Sequence, residues 1–201
     1  MTNWAEGKHP FEVLVSIVVS QNSTDAVTER VMRDLARGLA VRPDTIAKAP
    51  SSVLVRALKP AGLSRQKVPR IRALAAEVER RFGGDVMRVL DEPDPRLTLV
   101  DLPGIGPKTA DVWLSLVAGR DTMPVDTHIA RLAQRWRLIR RADYEETTAK
   151  LKSLIAPDRR SRGHLVLIQF GREVCQARRP RCESCPVFDL CDADVRRPRP
   201  P

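Results

Sequence analysis

Residues 102–110 read Leu-Pro-Gly-Ile-Gly-Pro-Lys-Thr-Ala and lie between two stretches of helical pattern. Gly104 and Gly106 allow a tight turn and a close approach of a ligand to the backbone, because neither carries a Cβ. Pro107 is favourable in the first turn of the following helix. The pattern is typical of a helix–hairpin–helix, although a bare helix-turn-helix corner is an alternative. We expect the backbone of Gly104, Ile105 and Gly106 to contact a phosphate at the positive end of that helix.

Apolar residues recur at helical spacing along the rest of the chain. Phe11–Ser20 is almost continuously apolar and suits a buried helix, because no partner strand flanks it. Ser23-Thr24-Asp25 offers caps for a helix that runs to about residue 40, and Gly83-Gly84 ends a helix that begins at Ser64. Further helices are predicted at 51–58, 94–101, 107–118, 127–137, 144–155 and 161–173. The predicted class is all-α, with a disordered end at 196–201.

The four cysteines of the chain cluster near its C-terminus, at Cys175, Cys182, Cys185 and Cys191. Their spacing is C-x6-C-x2-C-x5-C. Structural cysteines scatter through a core, so this clustering indicates one four-thiolate metal site. Two disulfides are the alternative, but they need an oxidising compartment. Residues 1–10 lack the apolar region of a secretory signal, which favours the metal site.

The chain is strongly basic, with 35 Lys and Arg against 25 Asp and Glu and a net charge of +10. Arginine supplies most of this charge and suits bidentate contact with phosphate, so nucleic acid is the expected partner. A membrane surface is disfavoured because no basic amphipathic helix has an aromatic face, whereas a basic surface that serves only solubility is an alternative. No apolar run approaches the roughly 20 residues that cross a bilayer. We therefore expect a cytoplasmic protein.

Three polar residues near the hairpin each allow a functional and a plain interpretation. Lys108, at the start of the predicted helix, is either one more phosphate contact or a nucleophilic amine. Asp126 is a favoured N-cap, and a carboxylate held rigidly at a helix end is also well placed for catalysis. His128 either orients a neighbour or is a satisfied polar group. These patterns nominate residues without choosing between their roles.

Three motifs together resemble the endonuclease III family of base-excision DNA glycosylases, within the helix–hairpin–helix glycosylase superfamily. They are LPGIGPKTADVWL at 102–114, VDTHIARLAQR at 125–135 and GHLVLIQFGREVCQARRPRCESCPVFDLC at 163–191. The motifs occur in the family's order, and the resemblance runs from about residue 10 to residue 191. The cysteine spacing is itself a marker of the family and implies a [4Fe–4S] cluster rather than zinc.

The resemblance implies a bifunctional glycosylase and AP lyase that removes oxidised pyrimidines from double-stranded DNA. Lys108 aligns with the catalytic lysine of the family and Asp126 with its catalytic aspartate. A damaged base is turned out of the duplex, and the lysine forms a Schiff base that leads to β-elimination. A glycosylase for mismatched or alkylated bases is an alternative on the same scaffold. A non-catalytic DNA-binding module with zinc is a second alternative.

The resemblance also nominates side chains that grip DNA. The gap left by the extruded base is filled in this family by a glutamine and a leucine. The first matches Gln21 or Asn22, which differ by one place in the alignment, and the second matches Leu63, for which an ordinary core leucine is the alternative. His128 is expected to contribute to DNA binding. The basic loop between the first two cysteines presents further contacts, Arg178, Arg179 and Arg181.

The family's architecture implies two helical lobes with a DNA cleft between them. A six-helix lobe is expected at 10–120, and a cluster lobe is expected to join 1–9 to 121–201. Lys108 and Asp126 would face each other across the cleft of a monomer, associated with the nucleoid in a prokaryote. Two departures from the family stand out. The segment before the first buried helix is short, which reduces the expected cover of the cluster lobe, and Pro107 replaces a basic residue.

Overall fold

The structure is a computed structural model, which describes residues 5–62, 64–191 and 193. Within these ranges the regular structure is entirely helical, which confirms the predicted all-α class. None of the helices in this part of the chain is long and apolar enough to span a membrane. Leu63 and the predicted disordered end at 196–201 lie outside the described residues.

The chain divides into two compact units, Met1–Gly119 and Arg120–Pro201. The first unit contains the helices α1 (Pro10–Ser20), α2 (Asp25–Gly38), α3 (Pro43–Lys48), α4 (Ser51–Leu58), α5 (Ser64–Phe82), α6 (Pro95–Val100) and α7 (Pro107–Ala118). Two 3-10 turns connect them, at Lys59–Ala61 and Val86–Asp91. The second unit contains α8 (Thr127–Arg135), α9 (Tyr144–Leu154) and α10 (Arg160–Glu173), with 3-10 turns at Pro157–Arg159, Cys182–Ser184 and Phe188–Leu190.

Helix α1 is the centre of the first unit and is apolar on almost every side, as its sequence predicts, with Glu12 as its one charged residue. Phe11, Val13, Leu14, Val15 and Val19 are each fully buried. A helix without a polar face has to be surrounded by other elements, and α1 packs against α2, α5 and α7. The first unit therefore has one continuous apolar core that reaches every helix in it.

Local sequence signals set the ends of these helices. Thr24 is the N-cap of α2, where its hydroxyl accepts a hydrogen bond from Val27 N at 3.3 Å. Gly83 ends α5 with φ 61°, a left-handed conformation that favours glycine. Both signals confirm the predicted ends. The short helix α3 was not predicted, because it has six residues and only one buried apolar side chain at its centre, Ile46.

The second unit has a much smaller apolar core. Met123, Val125, Ile129 and Leu151 form its buried cluster. Polar contacts also join the segments of this unit. The guanidinium of Arg160, 9% exposed, pairs with the carboxylate of Asp121 and donates to the backbone carbonyls of residues 152 and 155.

The compact units differ at the N-terminus from the predicted lobes. Ala5 is 7% exposed and belongs to the core of the first unit, whereas the sequence assigned residues 1–9 to the cluster lobe. The change between units falls at Gly119, one residue before the predicted boundary at 120. The arrangement of two lobes about a cleft stays a prediction.

Candidate functional site

The predicted hairpin joins α6 to α7 and rests on the core of the first unit. Leu102 and Ile105 are buried beneath it, and the N–H of Ile105 donates to the carbonyl of Leu102 at 3.1 Å to close the turn. Gly104 is exposed with φ 80°, and a Cβ there would lie 3.4 Å from Cβ of Arg70. The positive φ favours glycine here, whereas the contact with Arg70 would be an ordinary van der Waals distance. Any contact of Ile105 with DNA is left to its backbone, because its side chain is in the core.

The N-terminus of α7 presents unsatisfied backbone donors next to this turn. Gly106 is the N-cap, and no side chain caps the helix. Pro107 has no N–H, so the first-turn donors are the N–H groups of Lys108 and Thr109. Lys108 is the second residue of the helix, and its side chain is exposed. An uncapped helix end with an adjacent lysine is suited to an anion such as phosphate.

Two partly buried polar contacts fix α7 within the first unit. The carboxylate of Asp111 accepts from Arg96 Nε at 2.8 Å and from a second guanidinium nitrogen at 3.3 Å, which joins α7 to α6. The indole N–H of Trp113, fully buried, donates to the carbonyl of Pro10 at 2.9 Å and joins α7 to α1. The helix that follows the hairpin, α7, is thus bonded to both α6 and α1.

The loop between α1 and α2 contains both candidates for the residue that fills the gap. The side-chain amide of Gln21 contacts the hydroxyl of Thr109 at 3.5 Å, which places this loop beside the first turn of α7. Asn22 is exposed and has φ 58°, a conformation that asparagine adopts more readily than most residues. The structure therefore directs Gln21 toward α7 and leaves Asn22 at the exposed tip.

Helix α8 of the second unit begins at Asp126. Oδ1 of this residue accepts from the N–H of Ile129 at 2.8 Å, which is the predicted N-cap. The side chain of Asp126 is half-buried. Nδ1 of His128 lies 3.2 Å from a guanidinium nitrogen of Arg131, so the imidazole has a polar partner within its own helix. Lys108 lies in the first unit and Asp126 in the second.

The later turns of α8 carry two arginines that hold the first cysteine. Arg131 donates to the carbonyls of Gly171 at 2.7 Å and of Cys175 at 3.1 Å and 3.2 Å. Arg135 donates to Sγ of Cys175 at 3.1 Å and to the carbonyl of Gln176 at 2.8 Å. Burial, and after it the charge of Arg135, lowers the pKa of Arg131. One helix therefore connects the candidate catalytic carboxylate to the cysteine segment.

The four cysteine side chains line one pocket, in which none of them forms a disulfide. The rest of its wall is mainly apolar and includes Trp136, Phe170, Val174, Pro180 and Phe188. The rings of Trp136 and Phe170 lie 5.9 Å apart in a tilted arrangement. The predicted basic residues Arg178, Arg179 and Arg181 are exposed along the same segment.

Comparisons with known proteins agree with this geometry. Residues 15–157 match the HhH-GPD superfamily of base excision DNA repair proteins, and residues 175–191 match the iron–sulfur binding domain of endonuclease III. Endonuclease III of Bacillus subtilis is 35% identical over 190 residues, which cover 94% of this chain and 84% of that protein. The chain belongs to the endonuclease III family. It is a base-excision-repair DNA glycosylase, so the alternative of a non-catalytic module is not supported.

Solved structures of endonuclease III and of another DNA glycosylase share the fold. A trapped endonuclease III–DNA covalent intermediate has a TM-score of 0.81 and 33% identity, and the match covers 92% of this chain and 84% of that one. A thermostable thymine-DNA glycosylase has a TM-score of 0.77 at 23% identity, with 94% and 86% covered, and shows the fold alone.

The cysteine pocket fits the [4Fe–4S] cluster of the endonuclease III family. Burial raises the pKa of the Cys185 thiol, the backbone N–H of Val187 opposes this, and the other three thiolates raise it further. Four thiolates therefore need a shared positive centre. A zinc ion would hold all the sulfurs about 2.3 Å from one point. The match of residues 175–191 to the iron–sulfur binding domain favours the cluster over zinc. Cys175, Cys182, Cys185 and Cys191 would hold the cluster.

Sequence reasoning missed Arg131 and Arg135, which organise the cysteine segment. They lie four residues apart on α8, so they share one face of the helix. That spacing was a signal, but surface arginines in a basic protein commonly show the same spacing. Their acceptors are mostly backbone carbonyls about 40 residues away, and such acceptors leave no pattern of residue types in the sequence.

Proposed function

We propose that this chain removes oxidised pyrimidines from double-stranded DNA and then cleaves the abasic strand through a Schiff base on Lys108. The position of Lys108 carries this proposal. Its amine is exposed one residue after Pro107, at the uncapped end of α7 that is suited to hold a DNA phosphate. A nucleophile at this point is fixed relative to the backbone of the strand that it would attack.

The chemistry assigned to Lys108 requires an amine without its proton. The Nζ atom attacks C1′ of the extruded nucleotide, and the bond to the base breaks with its electron pair on the base, which takes up a proton. The sugar ring then opens to a Schiff base with the lysine. Loss of a proton from C2′ expels the 3′ phosphate, and water later releases the lysine.

Asp126 is assigned the carboxylate role in this reaction. It accepts the proton of the attacking amine and stabilises the positive charge that develops on the sugar. Its Oδ1 already binds the N–H of Ile129 as an N-cap, so the carboxylate is held in one orientation and Oδ2 lies outside that cap. The assignment requires the two units to bring Asp126 to Lys108 when DNA is bound.

The grip on DNA is assigned to backbone and basic groups spread over the chain. The turn at Gly104–Gly106 binds one phosphate without reading sequence, and the exposed Arg178, Arg179 and Arg181 bind others. Asn22, at the exposed tip of its loop, is the residue assigned to fill the gap, and Gln21 supports it against α7. Leu63 is assigned the second wedge, and His128 a contact near the site. The protein is proposed to act as a monomer.

Borohydride trapping tests the nucleophile. A duplex with one thymine glycol or one abasic site is incubated with the protein and reduced, and covalent adducts are counted. Wild type is expected to be trapped on both substrates, whereas Lys108→Gln is expected to lose about a thousandfold or more in single-turnover rate. Lys150→Gln removes another exposed charge, from α9, and should behave as wild type. An active, trapped Lys108→Gln protein would overturn the assignment.

Asp126→Asn separates capping from chemistry. Asparagine caps helices about as well as aspartate, so the free energy of unfolding should change by less than about 0.5 kcal/mol. Asp126→Ala removes the cap as well and should cost about 1 kcal/mol. Both variants are expected to lose base release. Full activity in Asp126→Asn would leave the residue with the capping role alone.

The lesion is tested in the same assay. Duplexes with a G·T mismatch and with 3-methyladenine are run beside thymine glycol, since glycosylases of the same scaffold differ in the base that they accept. Release of thymine glycol at the highest rate supports the proposal. A higher rate on either of the other duplexes would show that the preferred lesion is not an oxidised pyrimidine, although the protein would still be a DNA glycosylase.

A further inference from the structure

The first unit contains a buried lysine that has no part in the chemistry proposed above. Lys67 lies in the second turn of α5 and is only 4% exposed. Its ammonium donates to the carbonyl of Val19 at 2.8 Å, to the carbonyl of Ala61 at 3.0 Å and to the hydroxyl of Ser23 at 3.5 Å. All three acceptors are uncharged, and burial lowers the pKa of this lysine. A buried ammonium is costly unless it is hydrogen-bonded.

The two carbonyls that Lys67 binds belong to the ends of two helical elements. Val19 is in the last turn of α1, where carbonyls lack partners and the helix dipole is negative. Ala61 is the last residue of the 3-10 turn Lys59–Ala61. The hydroxyl of Ser23 also donates to the carbonyl of Ala61 at 2.7 Å. The loop after α1 is therefore hydrogen-bonded directly to the end of the 3-10 turn as well.

Each of these helical elements leads into a segment with an assigned role at the DNA. The end of α1 leads into Gln21 and Asn22, and the turn at Ala61 leads through Gly62 to residue 63 in the sequence. These are the two places assigned above to fill the gap left by the extruded base. Lys67 is therefore bonded to the base of both loops at once.

We infer that Lys67 is a positioning residue that sets the spacing of the two gap-filling loops. Its ammonium binds both loop bases and fixes how far apart the loops enter the duplex. The inference rests on the proposed function, because it assigns these loops to the DNA. It predicts that a loss of the ammonium impairs gap filling and base extrusion more than it impairs the chemistry on a nucleotide that is already unpaired.

The test measures insertion and excision separately. Insertion is followed by the fluorescence of 2-aminopurine placed opposite a tetrahydrofuran spacer, which holds no base to release. Excision is followed in single turnovers on thymine glycol opposite adenine and on thymine glycol opposite the same spacer. In Lys67→Met the fluorescence change at saturating protein should be lost. The paired-to-unpaired rate ratio should fall about tenfold or more, the size expected for loss of charge-assisted hydrogen bonds.

Three further variants distinguish positioning from simple stability. Leu74→Ala empties a fully buried site two turns further along α5 and should lower the melting temperature without changing the rate ratio. Lys67→Arg keeps the charge and should restore part of the ratio. Ser23→Ala removes the direct link between the loops and should lower the paired-to-unpaired rate ratio by less than Lys67→Met does. If Lys67→Met does not fold, the ratio in Ser23→Ala tests the positioning role instead.

The outcomes separate this inference from the proposed function. A wild type that changes the fluorescence but releases no thymine glycol contradicts the assigned lesion, and the fluorescence of Lys67→Met then decides the positioning role. A wild type without a fluorescence change overturns the inference, since the loops would not fill the gap. Wild-type fluorescence and a wild-type rate ratio in Lys67→Met, at any melting temperature, overturn it as well.

Discussion

The hairpin in the first unit and the cysteine segment in the second are both irregular, but they are held by different forces. The hairpin rests on a continuous apolar core through Leu102 and Ile105. The cysteine segment is held by hydrogen bonds from Arg131 and Arg135 to its carbonyls and to one sulfur. The hairpin is thus built by burial of apolar surface, whereas the segment depends on polar contacts around a cofactor.

The two units therefore obtain their stability from different sources. Burial of apolar side chains is the dominant favourable contribution to folding, and the first unit has a large share of it. The connected apolar cluster of the second unit has only four buried residues, so we expect this unit to depend more on the iron–sulfur cluster. We expect the two units to respond differently to the loss of metal and to the loss of a core or packing contact.

Removal of the cluster should have the largest effect. Cys182→Ala takes away one of the four thiolates, and the lost binding free energy is lost from folding, on the order of 5 kcal/mol or more. We expect proteolytic cleavage to begin after residue 120 while the first unit remains resistant. Limited proteolysis with mass spectrometry measures this.

Ser184→Ala is the control for the cysteine variant, because it changes an exposed side chain in the same segment. It should leave the iron content and the cleavage pattern unchanged. Equal resistance of both units in Cys182→Ala would contradict the dependence of the second unit on its cluster.

Arg96→Ala should weaken the first unit by an intermediate amount. The carboxylate of Asp111 is 4% exposed and would be left without its guanidinium partner, whose own side chain is 35% exposed. Because one partner is partly solvated, we expect a loss of about 2–3 kcal/mol, below that of a fully buried pair. Chemical denaturation measures it. A change of less than about 0.5 kcal/mol would contradict a stabilising role for this pair.

A packing comparison within α10 should give the smallest effect. A Cβ on Gly171 would lie 2.8 Å from Cβ of His128, so Gly171→Ala should push α10 from α8 and cost about 1–3 kcal/mol. A Cβ on Gly163 would meet Ile155 at 3.5 Å, an ordinary contact. Gly163→Ala should therefore gain up to about 1 kcal/mol from helix propensity. Thermal unfolding measures the melting temperature of both variants. Equal changes in melting temperature would contradict the tight contact at Gly171.

The features that follow from local pattern were predictable from the sequence. Glycine and proline around the hairpin, the cap at Asp126 and the stop at Gly83 each act within a few residues, so their residue types report their structure. The clustered cysteines were predictable for the same reason. The start of α7 just before Lys108 followed directly from Pro107.

The features that depend on distant backbone were not predictable. Lys67 is followed by the apolar positions of α5, and nothing in the pattern distinguishes it from a surface lysine until its carbonyl partners are known. Arg131 and Arg135 were missed for the same reason. The side chain of Ile105 shows the reverse case, since a motif associated with DNA contact has its central residue in the core.

If Asp126 has the proposed role, helix α8 would couple the loss of iron to the reaction. Its nine residues span about 13 Å, with the carboxylate of Asp126 at one end and the arginines that hold Cys175 toward the other. Oxidants or iron starvation that remove the cluster would make the cysteine segment less ordered. Because helix α8 joins that segment to Asp126, the position of the carboxylate would become less fixed as well. An organism short of iron would then accumulate unrepaired bases although the protein itself is abundant, because the protein level would no longer report the repair capacity.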